Sequence, residues 1–215
     1  MQAFTQLGSI ACALPEINID TDQLLPARFM KQPRSAEAGY ERFLFHDLRR
    51  LPDGSPDPAF PLNDARNAGA RIIVARRNFG SGSSREAAVY ALVDAGIRCV
   101  IAPSHGDIFS ANAVNNGLLP ARVSEQDAEA LLALCQPGGV CLEVDLSACR
   151  IAAAGRDFAF TVDPVWRRRL LNGWDDIDMT RQFAGRIAAW TEADAAARPW
   201  AQLRSVSETP PSGAR

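Results

Sequence analysis

The stretch Ile72-Ile73-Val74-Ala75-Arg76-Arg77-Asn78-Phe79-Gly80-Ser81-Gly82-Ser83-Ser84-Arg85-Glu86-Ala87-Ala88 constrains this chain more than any other. An apolar, β-branched run leads into Gly-Ser-Gly-Ser-Ser, and a helix-forming run follows. This reads as a strand, a tight glycine turn and a helix N-terminus. The spacing predicts a strand over Arg71 to Ala75 and a helix over Ser83 to Asp94. That helix carries Ala88, Leu92 and Ala95 on one face and ends at Gly96. A second apolar strand follows from Arg98 to Ala102. A strand–helix–strand unit of this length requires a parallel pair joined by a crossover.

The turn is also the first candidate site. The opening turn of a helix has unpaired N–H groups and partial positive charge, so it attracts anions. Arg85, placed in that first turn, works against the helix dipole. Its presence is easier to understand if it meets something negative, such as a substrate carboxylate. Glu86 suits the dipole and needs no functional reading. The bland alternative is a turn capped by Ser83 or Ser84. Three familiar glycine motifs fail here. A dinucleotide fingerprint needs glycine where Arg85 stands, a P-loop needs a lysine, and a nucleophile elbow needs Gly-x-Ser-x-Gly.

At 215 residues the chain can bury a single substantial core. With 23 basic and 25 acidic residues, it has no basic field for nucleic acid or an anionic membrane. No apolar run reaches the length of a membrane span, and the first residues lack a signal-peptide layout, so a cytoplasmic location is expected. Two histidines, His46 and His105, leave little room for histidine chemistry. The five cysteines (Cys12, Cys99, Cys135, Cys141 and Cys149) are scattered and show no C-x-x-C spacing. They read as reduced structural thiols.

Elsewhere, Ser9 to Ala13 is a predicted first strand and Asp20 to Pro26 a polar turn. Ala27 to Pro61 reads as largely irregular, with a short helix over Glu41 to Arg49; a long loop inside a compact domain is more often functional than accidental. Gly106 to Asn116 suits a helix stopped by Gly117, and Glu125 to Cys135 a helix capped by Ser124. Short strands at Ala121 to Val123, Val140 to Val144, Arg150 to Ala152 and Phe158 to Thr161 suggest antiparallel hairpins added to an α/β part. Terminal helices are expected over Asp163 to Leu171 and Ile177 to Thr191. Periodicity alone supports a mixed α/β fold with an added β layer.

Three segments, taken in order, carry a resemblance. They are Asn18-Ile19-Asp20-Thr21-Asp22-Gln23-Leu24-Leu25-Pro26, the Gly-Ser-Gly-Ser-Ser-Arg-Glu turn, and Gly106-Asp107-Ile108-Phe109 with Asn115-Asn116-Gly117-Leu118-Leu119-Pro120. From about Phe4 to about Trp190 the chain resembles the small subunits of 3-isopropylmalate dehydratase (isopropylmalate isomerase), the detached counterpart of the aconitase C-terminal domain. The resemblance implies a layered β/β/α swivelling domain with a mixed sheet, expected as one domain over 1–195 with a flexible tail over 196–215. It implies a hydro-lyase of leucine biosynthesis working with an aconitase-like large subunit, as a heterodimer or heterotetramer, on a small dicarboxylate. Aconitase-type chemistry uses a [4Fe–4S] cluster. With no ligand spacing here, the cluster is expected on the large subunit, and no cofactor or metal on this chain.

By the same resemblance Ser83 is the proton-abstracting base, acting as its alkoxide, and Asp22 belongs to the catalytic network. Thr21, Ser84 and Arg85 would bind substrate, Arg85 by a bidentate fork. Arg28, Lys31 and Arg34 lie in the segment where the family places its substrate-selecting loop, and Arg34 is the cation assigned to substrate. Asp20 reads as a turn residue, His46 and His105 as structural or surface residues, and Asp107 as support for its helix. Two departures stand out: Ser81 replaces the family's usual cysteine and Ala87 its usual histidine. They leave open a related hydroxy-diacid of the methylmalate or homoaconitate type. Readings from other classes are a serine hydrolase using Ser83 with His105, and a non-catalytic partner subunit.

Overall fold

A computed structural model of the chain describes residues 1–35 and 38–201. Most of the expected tail therefore lies outside the described residues. The chain divides into two compact units, Met1–Asp175 and the segment from Asp176 onward. In order, the first unit contains β1 (Gln6–Leu14), α1 (Thr21–Leu24), α2 (His46–Arg49), β2 (Ile72–Ala75) and α3 (Glu86–Asp94). It continues with β3 (Cys99–Ala102), α4 (Asp107–Asn115), β4 (Leu119–Arg122), α5 (Glu125–Cys135), β5 (Cys141–Asp145), β6 (Arg150–Ala153), β7 (Arg156–Ala159) and α6 (Pro164–Asn172). The second unit contains α7 (Asp176–Arg181) and α8 (Ala184–Ala197).

The seven strands of the described residues form one mixed sheet in the order β4-β3-β2-β1-β5-β6-β7. Strand β1 is long enough to serve two partners. Gln6 to Ile10 pair antiparallel with β5, and Ala11 to Leu14 pair parallel with β2. The expected antiparallel layer is thus continuous with the parallel one through a single strand. Strands β2, β3 and β4 extend the parallel side, and β5, β6 and β7 the antiparallel side.

The parallel strands are buried on both faces, which is why they read as continuous apolar runs rather than alternating ones. Ile72, Val74, Cys99 and Ile101 face one core with Leu131 and Leu132 of α5 and the antiparallel strands' Leu142, Val144 and Ile151. Ile73, Ala75, Val100 and Ala102 face the other, with Ala88, Val89 and Leu92 of α3 and Phe79 and Phe109.

Local structure departs from the sequence-based expectations in three informative places. Helix α3 begins at Glu86, not Ser83, and its N-cap is Arg85 in extended conformation without a side-chain cap. The serines are drawn elsewhere, as described below. The polar turn after β1 contains α1, opened by a capping box in which the Asp20 carboxylate accepts from Gln23 N–H and the Gln23 side chain from Asp20 N–H. The helix expected over Glu41 to Arg49 is split at Phe45, which sits at φ 53° with its side chain in the core. The segment from Ala27 to Pro61 is organised by aromatics: Phe29 stacks on Phe43 at 4.3 Å, and Phe45 packs against Phe60 at 5.5 Å. The single helix expected over Ile177 to Thr191 is two, because Phe183 N–H turns back to Thr180 O and ends the first.

Gly80 shows how closely the site's floor is packed. It lies at φ 73°, and a β-carbon there would fall 2.2 Å from Phe109 Cγ. Both the backbone and the contact exclude a side chain. Gly80→Ala should lower unfolding free energy by about 2–5 kcal/mol in chemical denaturation, from strain and overpacking together. Gly8→Ala, where a β-carbon meets nothing within 4 Å, should leave stability unchanged or slightly raised.

Candidate functional site

The parallel pairing of β1, β2 and β3 continues past the ends of the strands. Beyond β1 and β2, Gly80 N–H donates to Ile19 O at 2.7 Å and Thr21 N–H to Ser81 O at 2.9 Å. Beyond β2 and β3, Phe79 N–H donates to Ser104 O and Gly106 N–H to Phe79 O. Asn18 and Asn78, both at positive φ, turn the two chains and bond each other through Asn78 Nδ2 and Asn18 Oδ1 at 2.8 Å. The result is a second tier of parallel chain on the carboxyl side of the sheet. In open parallel sheets this is where ligands bind.

Thr21 and Ser83 meet on this tier. Their hydroxyl oxygens lie 2.7 Å apart, and Ser83 N–H donates to Thr21 Oγ1 at 3.1 Å. Thr21 is 1% exposed, whereas Ser83 is half-buried and Ser84 exposed. Gly82 lies between them at φ 102°, a conformation that favours glycine, and a β-carbon there would crowd Thr21 Oγ1 at 3.3 Å. Because its hydroxyl is held by Thr21, Ser83 does not cap α3. It stands just ahead of that helix, on the side where the first N–H groups are unpaired.

Arg85 follows directly and pairs through Nη1 with Asp22 Oδ1. The Arg85 side chain is 23% exposed and that of Asp22 58%, so the pair sits at the rim. Among the described residues Nη1 is the engaged nitrogen, and the Nε–Nη2 edge has the geometry to take a carboxylate in bidentate fashion. Thr21, Asp22, Ser83 and Arg85 are therefore brought together, with Ser84 beside them.

Arg34 is not part of this group. It forks onto Asp94 at the far end of α3, through Nε at 2.9 Å and Nη2 at 2.7 Å, and lies over the Tyr90 ring. Asp94 also accepts from Tyr40 N–H, so Arg34 helps fasten the Tyr40 segment to the helix. Arg28 pairs with Asp47. His46 stands beside the same Asp47. Lys31 is exposed.

His105 is half-buried, and its Nε2–H donates to Val100 O at 3.2 Å. Burial, assisted by Arg122 and opposed by that bond, lowers its pKa to about 4, so the ring is neutral. Among the described residues no hydrogen bond joins it to Ser83.

The cysteines lie away from this tier in the sheet, in α5 and in the β5–β6 turn. Burial pushes Cys12 up to about 12 and Cys135 up to about 11, and raises Cys99 as well. Among the described residues no group of three or more His, Cys, Asp or Glu side chains could hold a metal ion. This donor set does not fit an iron–sulfur cluster. Among the described residues, too, no helix is long and apolar enough to cross a membrane.

The profile of the aconitase C-terminal domain family matches residues 1–126. A 3-isopropylmalate dehydratase small subunit of Agrobacterium fabrum is 43% identical over 203 residues, covering 94% of this chain and 100% of the relative. Another from Gluconacetobacter diazotrophicus is 45% identical, covering 96% and 99%. This chain belongs to that family. A crystal structure of a 3-isopropylmalate dehydratase from Methanocaldococcus jannaschii shares the fold at a TM-score of 0.60 and 24% identity, covering 87% of this chain and 99% of that one. The aconitase-like swivelling fold is the one the motifs implied.

Two asparagines, Asn112 in α4 and Asn116 at its C-cap, are not among the residues that the sequence assigns to the site. Asn112 reaches Ser84 O at 3.4 Å, and Asn116 donates to Glu86 Oε1 at 2.8 Å. They tie α4 to the entrance of α3. Their signal was the i, i+4 spacing of two amides on the helix that follows the Gly106 turn.

The neutral His105 carries a pH prediction. Its folded pKa lies below the unfolded value of 6.5, so below that pH the unfolded chain takes up a proton that the folded chain does not. Stability should be full above pH 6.5 and fall as pH drops toward 4, by up to about 3 kcal/mol. Urea denaturation at pH 7, 5.5 and 4 checks this, and His105→Gln should flatten the dependence. Asp22→Asn, which breaks a rim ion pair, should change stability by less than about 1 kcal/mol at neutral pH.

Proposed function

We propose that this chain is the small subunit of a hydro-lyase that interconverts 2- and 3-isopropylmalate through the unsaturated diacid, in the leucine branch of cytoplasmic amino-acid synthesis. The observation that carries this reading is the placement of Ser83 at the entrance of α3, bonded to a buried threonine, with Arg85 and Asp22 beside it. In a chain of this family, these residues supply a base and a carboxylate clamp.

On this reading the Ser83 alkoxide takes the proton from the carbon next to a substrate carboxylate. The C–H bonding pair becomes the new π bond as the hydroxyl on the neighbouring carbon departs with its own pair. Rehydration in the opposite sense gives the isomer. A serine alkoxide is tenable only where fixed donors stabilise it in a site shielded from water. The Thr21 hydroxyl is such a donor, and the unpaired N–H groups at the entrance of α3 add positive potential nearby. Arg85, steadied at one nitrogen by Asp22, receives a substrate carboxylate with Ser84, and this orientation lowers the barrier by fixing geometry. The dehydrating half of the chemistry belongs to an aconitase-like large subunit carrying the [4Fe–4S] cluster, whose iron acts as a Lewis acid when bound.

A second substrate reading rests on Ser81 and Ala87, where relatives commonly have cysteine and histidine. Ser81 lies on the same tier as Ser83, its carbonyl accepting from Thr21 N–H. A panel of 2-alkylmaleates and homologous diacids separates an isopropylmalate enzyme from a methylmalate or homoaconitate one. A hydrolase has no support, since Ser83 bonds Thr21 and not His105.

The isolated chain should be inactive, and mixing with its large partner under anaerobic, iron-replete conditions should restore hydration of 2-isopropylmaleate. In that complex Ser83→Ala should lower kcat by about 10²–10⁴-fold with KM nearly unchanged. Arg85→Lys keeps the charge but loses the fork, so kcat/KM should fall by about 30-fold or more, with both constants affected. Wild-type turnover by Ser83→Ala would remove the base from the mechanism.

A further inference from the structure

Thr21 belongs to the motif that the resemblance assigns to substrate binding, yet the structure gives it no access to substrate. It is 1% exposed, behind Ser83. Its backbone N–H is committed to Ser81 O at 2.9 Å, and its Oγ1 accepts Ser83 N–H at 3.1 Å. That leaves one hydroxyl proton, and the group 2.7 Å away is Ser83 Oγ. Among the described residues Thr21 Oγ1 is the hydrogen-bond partner of that oxygen.

We infer that Thr21 is the positioning residue that holds Ser83 as a base, by donating its hydroxyl proton to the Ser83 oxygen. The inference rests on Ser83 being the proton-abstracting group. A hydroxyl has one proton and two acceptor lone pairs. Ser83 N–H occupies one lone pair of Thr21 Oγ1, and in the 2.7 Å contact with Ser83 Oγ only Thr21 can be the donor once Ser83 is an alkoxide. When Ser83 gives up its proton, to solvent before substrate binds or to the product carbon on rehydration, the bond from Thr21 becomes a hydroxyl-to-anion bond, shorter and about twice as strong as the neutral one. When Ser83 takes the substrate proton, Thr21 keeps its own, and Ser83 Oγ carries the transferred proton on the side away from Thr21. One proton moves from substrate carbon to Ser83, and none leaves Thr21.

The Ser83 N–H bond to Thr21 Oγ1 polarises the same hydroxyl and strengthens its donation. The loop that makes this ring of contacts is specified by Gly82, whose missing β-carbon leaves room for Thr21 Oγ1. Asp20, Asp22, Arg85 and Glu86 are the charged groups nearest in sequence to the pair, and the Asp20 carboxylate is taken up by Gln23 N–H at 2.7 Å. Asp22 and Arg85 are paired with each other, and Glu86 is bonded to Asn116. A neutral donor buried behind the serine thus stabilises the anion without placing a cation where the substrate carbon must approach.

The test uses the complete complex with its large partner and 3-isopropylmalate as substrate. Thr21→Val keeps the shape and removes the donor. It should lower kcat by about 10²–10³-fold, as loss of one oxyanion donor does, with KM changed less than about twofold. The rising limb of the kcat–pH profile should move to higher pH by about one unit or more. Thr21→Ser should restore both. Thr21→Cys, a weak donor of similar volume, should fall between and serves if the valine variant does not fold. In a Ser83→Ala background, Thr21→Val should add nothing. Near wild-type kcat and an unshifted limb for Thr21→Val or, failing that, Thr21→Cys, with Ser83→Ala inactive, would overturn the role of Thr21 and leave Ser83 as base. Equal damage by Thr21→Val and Thr21→Ser would reduce Thr21 to a packing residue and also overturn it. Full turnover by Ser83→Ala would instead overturn the base assignment beneath it.

Discussion

The site depends on one stretch of parallel pairing that outlasts its strands. Strands β1 and β2 end at Leu14 and Ala75, but the bonds Gly80–Ile19 and Thr21–Ser81 hold the two chains together further on. Residues about sixty positions apart are thereby fixed side by side. A backbone hydrogen bond is modest in net energy, but its direction is strict, and paired bonds fix position within tenths of an ångström. Gly80, Gly82 and Gly106 make that closeness possible. A side chain at Gly80 would strike Phe109, and one at Gly106 would strike Gly80 O at 2.6 Å.

The apolar runs of β2 and β3, the Gly-Ser turn and the Ser124 cap were legible because each depends on neighbouring residues only. Helix α5 spans the stretch that Ser124 and its period mark out. The start of α3 was not, because Ser83 had two competing partners. Nearby lay the free N–H groups of its own helix, and distant in sequence lay Thr21. The tertiary bond won, and the helix opens two residues after Ser84 without a side-chain cap. Phe45 is similar: a helical window gives no sign that one aromatic must turn to positive φ to reach the core.

Arg34 and Arg85 show where charge reading stops. Both are arginines near acidic residues, and sequence alone cannot separate a clamp from a strut. In the fold, Arg34 uses Nε and Nη2 together on Asp94, at opposite ends of whose helix the two arginines lie. Nine residues of α3 put those ends about 13 Å apart. Arg85 offers Asp22 a single nitrogen. The difference is geometric: a bidentate pair satisfies the planar fork, and an end-on pair leaves half of it unsatisfied.

The same distinction explains how a site can be prepared for a dianion without being filled by its own carboxylates. An unpaired Arg85 beside a helix entrance would suffer the dipole's repulsion. A fully forked Arg85 would have to surrender two bonds before binding anything. The end-on contact with exposed Asp22 lies between these extremes. It holds the guanidinium in place at a cost that solvent screening keeps small. As a ligand carboxylate approaches and water leaves, the fork's open edge gains strength because the local dielectric falls. Behind it, Thr21 is neutral, so on the proposed reading the positive charge would be confined to the carboxylate end of the substrate. With Ser83 as the proposed base, the reacting carbon would face an oxygen whose partner is a hydroxyl, and a neutral partner would leave that oxygen basic enough to take the proton, which a directly bonded cation would not.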